Sequence, residues 1–227
     1  EELKRLNAKD FDDILINFYQ TLKDIPIYYK YIFIDEFQDT NELQYLILKR
    51  LMHFGVYVLA VGDPDQSIYQ FRGANVEIIN RYIKDYEADV EILDLNYRSS
   101  PHIIKVANRF IEKNLRTLKK TLIAYHNENY EINKLEFDDL SSEATYIVNK
   151  YKDLVYKGIL PNQMAVLFRN HQRSYKLKQV LKKSYIDEIE GIQLLTMHQA
   201  KGLEFEVVFI LGMEKGEIPS YHMDFYR

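Results

Sequence analysis

Six short runs of aliphatic, β-branched and aromatic residues alternate with longer segments of helical period: YIFI (31–34), VYVLAVG (56–62), VEILDLN (90–96), MAVLF (164–168), IQLLTM (192–197) and VVFILG (207–212). Runs this short and this apolar read as buried strands, and strands joined through helices lie parallel. The fold class that follows is α/β, parallel sheets with flanking helices. In NELQYLILKRLMHFG the residues Leu43, Leu46, Ile47, Leu51 and Phe54 share one helical face, Asp39 and Glu42 have the spacing of a capping box, and Gly55 stops the helix. A second stripe runs through Ile79, Tyr82, Ile83 and Tyr86, and a third, behind a Ser100 cap and Pro101, through Ile104, Ala107 and Ile111. A further helix covers residues 141–156 and is closed by Gly158. The chain has no internal repeat and no low-complexity tract. The seam between domains is expected at Tyr86-Glu87-Ala88-Asp89, which divides the chain into residues 1–88 and 89–227.

The 227 residues, 47% of them hydrophobic, suffice for one large core or two modest ones. A formal charge of −4 gives no whole-chain basic field, so any nucleic-acid binding has to come from local patches or stacking. The lack of cysteine excludes a disulfide framework and thiolate metal sites; it fits a reducing compartment, and the cytoplasm is the expected location. No apolar stretch approaches the roughly 18 residues that span a bilayer, and EELKRLNAKD lacks the apolar segment of a signal peptide, so a soluble protein with no membrane partner is expected. The start at Glu1 and the finish at HMDFYR lead to the expectation of a piece of a longer chain.

Directly after YIFI stand three carboxylates, Asp35, Glu36 and Asp39. Ligands of open parallel sheets bind outside the carboxyl ends of the strands, and like charges this close call for solvent screening or a hard cation such as magnesium. The plainer reading is a helix N-terminus decorated with acids. After VYVLAVG comes DPDQSIYQFRGAN, where Gln66, Tyr69, Phe71 and Arg72 bring an amide, two aromatic rings and a guanidinium into one loop, a mixture suited to phosphate and stacked bases. Taken alone, the aromatic pair is more often core.

YIFIDEFQDTNELQ, VGDPDQSIYQFRGAN, LNYRSSPHII and TMHQAKGLEFEVVFILGMEKGEIPS, in this order and spacing, resemble four successive motifs of the UvrD/Rep/PcrA family of superfamily 1 DNA helicases. LNAKDFDDIL, NRFIEKNLRTLKK and MAVLFRNHQRS resemble its connecting segments, so the likeness covers nearly the whole chain. The resemblance implies RecA-like P-loop NTPase lobes with ATP and Mg2+ as cofactors in the cleft between them. It also implies single-stranded and duplex DNA as partners, with repair proteins as further candidates. On the matching positions it implies Asp35 as the Walker B acid that holds magnesium and Glu36 as the general base on the attacking water, with Asp39 as a cap or motif support. Gln66 matches the sensor of the terminal phosphate, Tyr69 and Phe71 the rings on which bases stack, and Arg72 a residue of the DNA path or of the motif network. Tyr97 matches a contact to adenine and Arg98 a finger on the terminal phosphate. Thr196 and His198 match DNA-backbone contacts, Lys201 and Gly202 the turn that couples nucleotide state to DNA, and Glu204 a ribose contact. Phe71 departs from the family's usual tryptophan, and a smaller ring implies a weaker grip.

Two basic runs fit the DNA reading: six Lys or Arg against Glu112 alone from His102 to Lys120, and five with no acid from Arg173 to Lys183. Such runs are as often solvated faces as phosphate contacts. The chain has no GxxxxGK[ST] phosphate loop, nor the family's C-terminal arginine motif. Only about 20 residues separate RNHQRS from TMHQAKGLEF, where the family carries an accessory domain, which is therefore expected to be missing between about 170 and 191. The first lobe is expected to be truncated and to expose a sheet edge prone to self-association, and the chain by itself is expected to bind ATP poorly and to hydrolyse it hardly at all. The leading expectation is a fragment of an ATP-dependent 3′–5′ DNA helicase. The alternatives are a non-catalytic scaffold or DNA-binding subunit, and a segment of a helicase-nuclease.

Overall fold

The computed structural model describes residues 8–69, 71, 73–114, 116, 118–128, 130, 132–184 and 191–218. They form two compact units, Glu1–Tyr130 and Glu131–Arg227.

In the first unit, helix α1 (Phe11–Thr21) starts from a reciprocal capping box in which Asp10 accepts from the Asp13 N–H and Asp13 from that of Asp10. Strand β1 (Tyr31–Ile34) pairs in parallel with β2 (Tyr57–Ala60), Tyr31 opposite Tyr57 and Ile34 opposite Ala60. The continuous apolar runs predict burial on both faces, but only one face is covered among the described residues. Ile34, Val58 and Ala60 pack on the core, while Tyr31, Phe33, Tyr57 and Leu59 stand 57, 75, 65 and 54% exposed. Between the strands lies α2 (Glu42–His53). Its cap is Asn41, which accepts from the Gln44 N–H while Gln44 accepts from that of Asn41, not the expected Asp39–Glu42 pair.

The buried face of α2 agrees in part with the expected one: Ile47 is buried and Leu43 and Leu51 are half-buried, as the stripe predicts. Tyr45 and Leu48 enter the core with Met52 beside them, whereas Leu46 and Phe54 are nearly half exposed. Tyr45 outcompetes the aliphatic stripe because its ring is buried and its hydroxyl still donates to Asp85 Oδ2 at 3.2 Å. Helix α3 (Glu77–Tyr86) buries Ile79 and Tyr82 as its periodicity predicts, with Ile83 and Tyr86 half-buried against the same core, and it also buries Ile78, which the stripe did not include. Tyr82 packs edge-on to Phe37 at 5.3 Å and donates its hydroxyl to the Val58 carbonyl at 3.1 Å.

The run VEILDLN is strand only at β3 (Leu95–Asn96), which pairs in parallel with β4 (Ile123–Ala124), a strand the sequence did not reveal. Its upstream residues find no partner strand among the described residues, and Leu93 is 78% exposed. Helix α4 (Pro101–Ile111) connects the two, with Pro101 in its first turn and Ile104 buried. Ser100 occupies the cap position but its hydroxyl makes no capping bond, and Ala107, expected on the buried stripe, is exposed.

The second unit is a parallel sheet in the order β6-β5-β7, from β5 (Met164–Phe168), β6 (Gln193–Thr196) and β7 (Val207–Ile210). Helix α5 (Leu140–Tyr156), capped by Asp139, packs with α6 (His171–Lys183) against it. Central β5 is buried almost throughout, with Met164, Val166 and Phe168 in contact with Ile147 and Leu177 in one core. Among the described residues, no helix is long and apolar enough to cross a membrane.

Candidate functional site

The acidic end of β1 is the focus of the first unit. Past Ile34 the sheet ladder continues, with Val61 N–H donating to the Ile34 carbonyl (2.7 Å) and Phe37 N–H to that of Val61 (2.9 Å). The chain must then turn into the short 3-10 segment Phe37–Asp39, and Glu36 makes that turn in the left-handed region, φ 51° and ψ 41°. For a residue with a Cβ this costs about 1–2 kcal/mol. The buried Phe37 ring and the Asp35 side chain, whose Oδ1 accepts the Glu36 N–H at 2.8 Å, hold the turn in place. A cleft of about 360 Å3 opens here, and Asp35, Glu36 and Asp39 all line it with Thr40 and Gln44.

The loop after β2 is hydrogen-bonded to this turn. Gln38, fully buried, donates from Nε2 to Glu36 Oε2 and accepts the Asp63 N–H on Oε1 at 2.8 Å. Asp63 in turn accepts from Gln66 Nε2 (2.7 Å) on one oxygen and from the Asp65 N–H (3.0 Å) on the other, so its side chain caps the 3-10 segment Pro64–Gln66. A hydrogen-bonded path therefore runs from Glu36 through Gln38 and Asp63 to Gln66. Gly62 makes it possible: a Cβ there would sit 2.7 Å from Gln38 Oε1 and 3.0 Å from the Phe37 nitrogen. Beyond Gln66, the Tyr69 and Phe71 rings lie 6.1 Å apart, Tyr69 half-buried and Phe71 69% exposed. Phe71 is therefore not a core residue. The loop's far end is tied by the Asn41–Ala74 bridge and by Asn75 N–H donating to the Thr40 carbonyl. Arg72 lies outside the described residues.

Tyr97 and Arg98 follow β3. Tyr97 is exposed, its ring lies tilted against that of Tyr125 at 4.7 Å, and its carbonyl faces His126 at 2.8 Å; Arg98 is exposed, and its N–H donates to Asn96 Oδ1. In the second unit Thr196 ends β6 and closes a tight turn: its N–H and hydroxyl both donate to Gln199 Oε1 at 3.0 Å, and its carbonyl accepts from the Ala200 N–H. His198 and Lys201 are half-buried in this turn. Gly202 has φ +80°, a conformation that favours glycine, and Glu204 is exposed just beyond.

Gln38, Asp63, Arg116 and Lys120 were not singled out from the sequence. Arg116 forks onto Asp65, Nε to Oδ1 at 3.0 Å and Nη2 to Oδ2 at 2.5 Å, and Lys120 pairs with Asp63. In the other basic run, Arg173 pairs with Glu143 and Glu214. These three residues of the two basic runs are thus held by carboxylates of the protein, which the runs themselves did not signal. Their acids lie far away in sequence, and only the fold brings them opposite.

By fold and site this is a parallel α/β protein with a carboxylate-bearing strand end coupled to the neighbouring strand's loop. Residues 1–87 match the UvrD/REP helicase N-terminal domain, and residues 92–190 and 183–224 match the UvrD-like helicase C-terminal domain. The chain belongs to the UvrD-like helicase family. It is 34% identical over 235 residues to a probable DNA helicase of Mycoplasma pneumoniae, covering 96% of this chain and 44% of that protein. It is 34% identical to a probable DNA helicase II homolog of Mycoplasma capricolum, over 84% of this chain and 28% of the other. With the ATP-dependent DNA helicase PcrA of Staphylococcus epidermidis the identity is 35%, over 82% of this chain and 26% of the other. The chain thus spans less than half the length of these relatives.

Proposed function

We propose that this chain is part of an ATP-dependent DNA helicase that moves 3′ to 5′ along single-stranded DNA and separates duplex, with residues 1–88 and 89–227 contributing to two RecA-like lobes. The observation that carries the reading is the hydrogen-bonded path from Glu36 through Gln38 and Asp63 to Gln66. It ties the group that would activate water to the loop that would read both the terminal phosphate and the DNA.

The donor set fits a magnesium nucleotide. Asp35, Glu36 and Asp39 offer hard oxygens to one cleft, and among the described residues no three metal-binding side chains cluster. Magnesium characteristically takes one or two carboxylates and fills its remaining positions with phosphate and water oxygens. Bound ATP would supply the transferable phosphoryl group and magnesium its charge neutralisation. Asp35 would hold the metal, and Glu36 would orient a water and take its proton. Gln66 would donate its amide to a terminal-phosphate oxygen, exchanging its present bond to Asp63. Arg98 would place positive charge on the same oxygens, Tyr97 would stack on adenine, and Lys201, Gly202 and Glu204 would contact the nucleotide. Tyr69 and Phe71, with Arg72, would hold bases by stacking that tolerates any sequence, while Thr196 and His198 contact the backbone. Repair proteins remain candidate partners.

The test uses a protein in which this chain is joined to a GxxxxGK[ST] loop. Single-stranded DNA is expected to stimulate its ATP turnover, and Glu36→Gln to lower turnover about 10²- to 10⁴-fold while nucleotide still binds. Unchanged turnover in that variant overturns the assignment. Oligonucleotide binding without any turnover favours a DNA-binding scaffold instead.

A further inference from the structure

The loop from Asp63 to Phe71 carries the groups proposed to read phosphate and DNA, and its first turn is the short 3-10 segment Pro64–Gln66. Its two aspartates lie two positions apart and are largely buried, with side chains 20 and 14% exposed. Like charges this close, removed from water, repel and would drive the loop open unless cations were held against them. The structure supplies two, both from the segment that follows α4. The Arg116 guanidinium, on a side chain 9% exposed, meets Asp65 with two hydrogen bonds, and the Lys120 ammonium, on a side chain 15% exposed, meets Asp63. Leu118, between them in sequence, packs against the core of the same unit.

We propose that Arg116 and Lys120 are positioning residues for the loop, holding Gln66 and the Tyr69–Phe71 pair in the arrangement that binds single-stranded DNA; this rests on the function proposed above. The two cations divide the task. Arg116 fixes orientation, because a planar fork on one carboxylate admits a single geometry, whereas Lys120 neutralises Asp63 as a point charge and leaves that carboxylate able to accept from Gln66 and the Asp65 N–H. Asp63 is thus shared between the path to Glu36 and the anchor at Lys120. A displacement of Lys120 would reach Gln66 through one carboxylate.

The proposal is tested on this chain by amide hydrogen exchange and by anisotropy of a fluorescein-labelled oligothymidine. In Arg116→Gln/Lys120→Gln, exchange across residues 63–69 is expected to rise at least about tenfold while that of α2 is unchanged. Oligothymidine affinity is expected to fall about tenfold, on the scale of one lost stacking contact. Arg116→Lys keeps the charge but loses the fork and should restore only part of the protection. The exchanged pair Asp65→Arg/Arg116→Asp should restore most of both readouts. Unchanged exchange in the loop overturns the proposal, as does faster exchange with undiminished affinity. Tyr69→Ala serves as the control for the underlying reading. If it leaves oligothymidine affinity unchanged, the stacking role fails, and loop exchange alone decides whether the cations order the loop.

Discussion

Gln38 Oε1 accepts the Asp63 N–H at 2.8 Å across 25 positions of sequence, and it does so from a side chain with no solvent exposure. The same amide donates to Glu36, so one buried residue satisfies polar groups on both strand ends. Gln38→Leu would fill the space but leave the part-buried Asp63 N–H without its acceptor, at a cost of about 1 kcal/mol. The expected result is a lower urea midpoint with an unchanged slope, together with a loop that exchanges faster at Asp63. An unaltered midpoint would show that water replaces the amide at no cost.

Gly62→Ala is expected to destabilise by about 1–3 kcal/mol through overpacking. The added methyl would lie 2.7 Å from Gln38 Oε1, which is bonded and cannot swing aside, and 3.0 Å from backbone at Phe37. Thermal unfolding of the variant checks this. The double variant Gly62→Ala/Gln38→Ala should recover part of the loss, because the methyl then has somewhere to go.

Acid should loosen the contact between α2 and α3. The Lys49 ammonium, then the Tyr45 hydroxyl, hold the Asp85 carboxyl below its ordinary value, and the Arg81 guanidinium does the same for Glu42. Both carboxyls titrate lower folded than unfolded, so their stabilisation is present above the ordinary carboxylate value of about 4 and is lost as pH falls through the lower folded values. Burial, with Asp85 alongside, pushes the Tyr45 phenol well up, so it stays a donor throughout. Urea midpoints at neutral and acid pH should converge in Glu42→Gln/Asp85→Asn. An unchanged pH dependence in that variant would rule these two carboxylates out.

Phe71, 69% exposed, can be replaced without touching the core. Phe71→Trp is expected to tighten binding of single-stranded DNA and Phe71→Ala to weaken it by about 1–3 kcal/mol, with no change in melting temperature. Equal affinities for all three side chains would remove the ring from the DNA path.

What could be read from the chain beforehand follows from how local each signal is. YIFI and MAVLF are apolar runs closed by polar residues, and both are strands to the residue. VEILDLN has the same composition but is strand for two residues only, because a strand needs a neighbour and β4 is two residues long. In α2 the aliphatic stripe contains the buried Ile47 but not Tyr45, because a tyrosine counts as core only when its hydroxyl has somewhere to bond, and Asp85 lies 40 positions away. The carboxylates Asp35 and Glu36 were legible as a cluster. Their link to the second loop was not, since Gln38 looks like any surface amide, and the Arg116–Asp65 pair spans 51 positions that no periodicity connects.

The left-handed backbone at Glu36 sets evolution two opposed demands. Glycine would relax the turn by about 1 kcal/mol, but it would also strip the acceptor from the fully buried Gln38 amide, which costs about 1–3 kcal/mol. The bent backbone is thus kept for the buried bond as well as for the carboxylate proposed to activate water. A library screened for melting temperature and one screened for turnover should both retain a side-chain acceptor at position 36 in place of glycine.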